Sequence, residues 1–64
     1  MKVREAIRLI EAEGWYEVRQ TGSHKHYKHP AKPGLVTIPD HRGKDLGEKT
    51  TRSILKQAGL TQEH

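Results

Sequence analysis

The chain contains no cysteine. That excludes a disulfide framework, a thiolate metal site and a cysteine nucleophile, and it suits a reducing compartment. Long apolar runs are also missing. The first residues lead directly into a charged amphipathic segment, so neither a signal peptide nor a membrane span is expected, and a cytoplasmic location is. Hydrophobic residues fill only 31% of the 64 positions. A chain of this size buries only about 60% of its unfolded surface, which leaves a thin core. A deep pocket for a small metabolite is excluded, and any site must lie on the surface. One domain is expected over residues 1–64, with the last few residues as a flexible tail.

What the chain does have is positive charge. Twelve lysines and arginines against eight acidic residues give a formal charge of +4, and five histidines can add to it below neutrality. Such a surface attracts phosphate backbones or an acidic protein partner. The hydrophobic residues are gathered into periodic segments, which argues against disorder.

Lys2 to Glu13 reads as a helix, with Val3, Ala6, Ile7 and Ile10 at helical spacing and Gly14 as its stop. Tyr16 to Thr21 reads as a strand with Tyr16 and Val18 on its apolar face. Thr21-Gly22-Ser23 is turn-forming, and His24 to His29 makes a second strand. Pro30 to Gly34 is a loop, and Leu35 to Ile38 is a third strand in which Val36 and Ile38 share a face. After a polar connection from Asp40 to Gly47, Glu48 to Ala58 forms a second helix. Ile54, Leu55 and Ala58 are its stripe, and Leu60 folds back beyond Gly59. The order is helix, three strands, helix. Each helix has one apolar stripe, so both should cover one face of a three-stranded antiparallel sheet and leave the other in solvent, an α+β architecture.

Strand alternation then puts His24, His26 and Lys28 on one face and Lys25, Tyr27 and His29 on the other. Tyr27 is the large apolar member and should turn inward, leaving His24 and His26 on the open face together with Arg19 of the preceding strand. Gly22 and Ser23 can offer bare N–H groups to a phosphate oxygen. Imidazole is the side chain that ordinarily both takes and gives a proton near neutral pH. A histidine in cationic surroundings therefore points to proton transfer on a polyanion, and RNA carries its own nucleophile in the 2′-hydroxyl. His24 is the candidate general acid or base. Arg19, Gly22, Ser23, Lys25, His26, Lys28 and, from the polar loop, Lys44 are the candidate RNA contacts. The rival reading is a plain RNA- or protein-binding module without chemistry. A metal site is a weaker rival: His24 and His26 could share an ion, but His29 falls on the wrong face and no carboxylate or cysteine is close by to complete the set. No metal or other cofactor is expected. Trp15 is expected to pack at the corner between the first helix and the sheet.

These residues resemble the HicA toxins, small mRNA interferases of bacterial toxin–antitoxin pairs. The resemblance runs from Val3 to about Leu60. It is carried by Gly14-Trp15, by Arg19-Gln20-Thr21-Gly22-Ser23-His24 and Tyr27, and by Val36-Thr37-Ile38-Pro39 with His41 and Gly43. The run from Arg52 to Leu60 completes it. It implies a fold like the double-stranded-RNA-binding domain, RNA cleavage dependent on His24, and a HicB-type antitoxin that binds and blocks the toxin. Two departures stand out. Trp15 occupies a position where phenylalanine is usual. Thr51 occupies one where leucine is common, which weakens the apolar stripe of the last helix. The resemblance assigns no role to His41.

Overall fold

The computed structural model describes residues 1–41 and 45–60. Arg42, Gly43 and Lys44 lie outside the described residues, and with them the phosphate contact expected of Lys44. So do residues 61–64, where a tail was expected. The elements are α1 (Val3–Ala12), β1 (Tyr16–Thr21), β2 (His24–Lys28), β3 (Val36–Pro39) and α2 (Glu48–Gln57). The strands form one antiparallel sheet in the order β1-β2-β3.

Both helices lie on one face of this sheet, because their apolar stripes and one face of β2 and β3 make a single cluster. Ala6 and Ile10 of α1 meet Ile54 and Ala58 around α2, with Tyr27, Val36 and Ile38 below them. Val3, Ile7 and Leu60 pack at its margin. Leu46, in the connection that sequence reading leaves as polar, is also buried here. The main chain at Met1 and Lys2 holds that connection in place: the Leu46 N–H donates to the Met1 carbonyl at 2.9 Å, and Lys2 bridges to Asp45. Burial pushes the Tyr27 phenol up to about 12, and the negative charges of Glu17, Glu11 and Asp40 add to the effect. Tyr27 is therefore a neutral core residue at any ordinary pH.

Both helices end alike. After α1, the N–H of Gly14 donates to Glu11 and that of Trp15 to Ile10. After α2, Gly59 donates to Lys56 and Leu60 to Leu55. This pair of bonds satisfies the last carbonyls and turns the chain back, which drives Trp15 into the core and Leu60 onto its edge. At Gly14 the backbone has φ +103°, and a Cβ there would sit 2.7 Å from the His29 ring. Glycine is required on both counts.

The inward face expected of Tyr16 and Val18 is not found. Both are exposed, as is every residue of β1. The cause is an extra residue in β1. Glu17 pairs with Tyr27 and Arg19 with His26, so Val18 is a bulge with no partner of its own. The bulge reverses the parity upstream. Tyr16 pairs with Lys28 and thus shares the open face with Arg19 and Thr21, while Glu17 takes the inner face.

Candidate active site

The hairpin between β1 and β2 closes at Thr21 and His24 with only Gly22 and Ser23 between them. Gly22 has φ +58° and Ser23 does not share that sign, the pattern of a two-residue turn with glycine at its first central position. The turn is held through its carbonyls. Gln20 donates its side-chain amide to the Gly22 carbonyl at 3.0 Å, and the Asp40 N–H donates to the Ser23 carbonyl at 2.6 Å. The N–H groups of Gly22 and Ser23 take part in none of the turn and loop bonds among the described residues. They remain available to an anion at the point where His24 begins β2.

The register sets out the open face row by row. Tyr16 and Lys28 are at one end, Arg19, His26 and Thr37 in the middle, and Thr21, His24 and Pro39 at the other end. At about 3.3 Å per residue, the face runs roughly 13 Å from Lys28 to His24. His24 is exposed, and its side chain enters none of the hydrogen bonds or ion pairs among the described residues. His26 is half-buried, and its Nδ1 is hydrogen-bonded to the Thr37 hydroxyl at 3.1 Å. Thr37 is itself fixed, because its N–H donates to the Gln57 amide oxygen of α2 at 3.1 Å. That contact occupies a donor on the outer edge of the sheet. The two histidines on this face therefore differ: one is tethered, the other free.

Two candidate contacts need separating from the rest. Lys25 stands on the helix side of the sheet, with its Nζ 3.6 Å from an Asp40 carboxylate oxygen, and it does not join His24, His26, Arg19 and Lys28. His29 is a structural residue. Its Nδ1 accepts from the Ala31 and Lys32 N–H groups at 2.9 and 3.2 Å, which requires the proton on Nε2, and Nε2 then donates to the Glu13 carbonyl at 2.8 Å. Its ring meets Trp15 edge-on at 5.3 Å.

Sequence reading misses two residues of this surface. Tyr16 comes to the open face through the bulge. His41 lies two residues beyond the end of β3, just after the Asp40 N–H that donates to the Ser23 carbonyl, and its ring stands 6.4 Å from that of His24, nearly perpendicular at 79°. Its approach to His24 has meaning only once the β2–β3 register is known.

An exposed imidazole thus stands beside a two-residue turn, on a sheet face that also bears arginine and lysine. The model of the HicA toxins of bacterial toxin–antitoxin systems matches residues 3–60 of this chain. A protein of Pseudomonas fluorescens (strain Pf0-1) named as a probable mRNA interferase HicA is 38% identical over 60 residues, covering 94% of this chain and 97% of its own length. The chain belongs to the HicA toxin family.

Proposed function

We propose that the protein is an mRNA interferase, an endoribonuclease whose reaction depends on proton transfer by His24. The enzyme class follows from the family and from the name of the Pseudomonas relative. The observation that supports His24 is its exposed ring, without a hydrogen-bond or ion-pair partner among the described residues, beside the Gly22–Ser23 turn. A histidine placed for packing would be expected to resemble His29, which is bonded at both ring nitrogens.

In the reaction the RNA 2′-oxygen attacks its own phosphorus, giving up its proton to a base. The 5′-oxygen of the next nucleotide leaves and takes a proton from an acid. The products are a 2′,3′-cyclic phosphate and a 5′-hydroxyl. The nucleophile belongs to the substrate, so His24 has only to move a proton, and no metal is required. Gly22 and Ser23 N–H groups donate to the phosphate oxygens as charge builds on them. Arg19 and Lys28 hold the strand along the face, His26 lies beneath it, and the Tyr16 ring offers a base a surface to stack on. A HicB-type antitoxin is the partner that blocks this face.

The test is cleavage of single-stranded RNA in EDTA followed by end analysis. The mechanism predicts undiminished cleavage and 2′,3′-cyclic ends or their hydrolysis products. Loss of activity in EDTA, or 5′-phosphate ends, contradicts it.

A further inference from the structure

We infer that His41 is a second catalytic residue, carrying the other proton of the same step opposite His24. The inference rests on the reading of His24 given above. Transesterification needs one group to remove the 2′-hydroxyl proton and another to protonate the departing 5′-oxygen. In an in-line displacement those two oxygens lie on opposite sides of phosphorus. One imidazole cannot serve both in a single step.

His26 is the neighbour closest in sequence, but its Nδ1 is held by Thr37 and its ring is half-buried at mid-sheet. His41 meets the requirements that His26 does not. It is exposed, it appears in none of the hydrogen bonds or ion pairs among the described residues, and its one ring neighbour there is His24. Proton carriers must come within about 2.6–3.2 Å of the oxygens they serve. Two rings with centroids 6.4 Å apart and planes 79° apart bring nitrogens to one phosphodiester from two directions.

The fold fixes this pairing. His24 opens β2 opposite Pro39, the last residue of β3, and the Asp40 N–H to the Ser23 carbonyl binds the exit of β3 to the turn that precedes His24. His41 is the next residue along. One of the two histidines takes the 2′-hydroxyl proton as the P–O2′ bond forms. The other gives its proton to O5′ as the P–O5′ bond breaks, so protons and charge balance.

The test compares single-turnover cleavage by His24→Ala, His41→Ala and His41→Gln at one mapped linkage. The linkage is made with its natural 5′-oxygen and with a bridging 5′-sulfur, a leaving group that departs without protonation. On the oxygen linkage both histidines should be needed, each loss on the order of 10²–10⁴-fold, with the double variant little worse than either single one. On the sulfur linkage one of the two positions, the acid, should recover to within a few-fold of the parent while the other stays slow. Melting temperatures close to the parent's are expected, since both side chains are exposed and neither belongs to the buried core. Full activity of the His41 variants with an inactive His24→Ala overturns the inference and leaves the reading of His24 intact. Recovery on sulfur at both positions or at neither also overturns it. An active His24→Ala removes both readings together.

Discussion

Replacing His29 with alanine should cost more stability than replacing either histidine of the sheet, although His29 lies five residues from His24 on the same stretch of chain. The substitution removes the bond from Nε2 to the Glu13 carbonyl and the acceptor shared by the Ala31 and Lys32 N–H groups. A hydrogen bond nets about 0.5–1.5 kcal/mol, and these partners are near water, so two of them contribute roughly 1–2 kcal/mol. The edge-on contact with Trp15 adds about 0.5–1 kcal/mol. The expected loss is therefore about 1.5–3 kcal/mol, in a domain of a size whose core rarely supplies more than about 3–5 kcal/mol. The single tryptophan, Trp15, is buried against this ring, so urea unfolding followed by its fluorescence reports directly on the corner. His24→Ala under the same conditions should change stability by less than about 0.5 kcal/mol, as surface positions without partners do. A His29→Ala protein within about 0.5 kcal/mol of the parent would refute the division of these histidines into structural and functional ones.

Thr51 carries a buried hydroxyl for which no partner is found among the described residues. Thr51→Val keeps the shape and removes the unmet group, so it should raise stability by about 1 kcal/mol in the same urea titration, and a loss would contradict the reading of that site. Arg19→Ala and Lys28→Ala should each lower the log–log salt slope of RNA binding by about 0.7, whereas Lys25→Ala should leave it nearly unchanged, because Lys25 faces the helices and is paired with Asp40. Equal effects of all three in a binding titration across salt would mean that RNA wraps around the sheet edge.

The helices and the inner face of β3 were legible from the residues because their signals are local. Ala6 and Ile10 recur at helical spacing, Val36 and Ile38 at strand spacing, and Gly14 and Gly59 mark the helix ends. The face of β1 was not legible, since a bulge at Val18 needs no glycine or proline to announce it, yet it reverses which side Tyr16 occupies. Leu46 looked polar by its surroundings and is buried through main-chain bonds from the far end of the chain. The candidate site divides in the same way. Turn chemistry and alternation are enough to put His24 and Arg19 on one face. The pairing of Lys25 with Asp40 and the approach of His41 to His24 both follow from a β2–β3 register across a loop of seven residues, Glu-free and rich in proline, that connects Lys28 to Val36.

The central claim is that His24 moves a proton and does not merely bind RNA. The single-turnover cleavage rate of folded His24→Ala, measured at saturating protein on a labelled RNA, tests it most directly. The account predicts a rate lower by about 10²–10⁴-fold with RNA affinity close to the parent's, because Arg19, Lys28 and the turn N–H groups remain. A rate within a few-fold of the parent would contradict it and reduce this face to a binding surface.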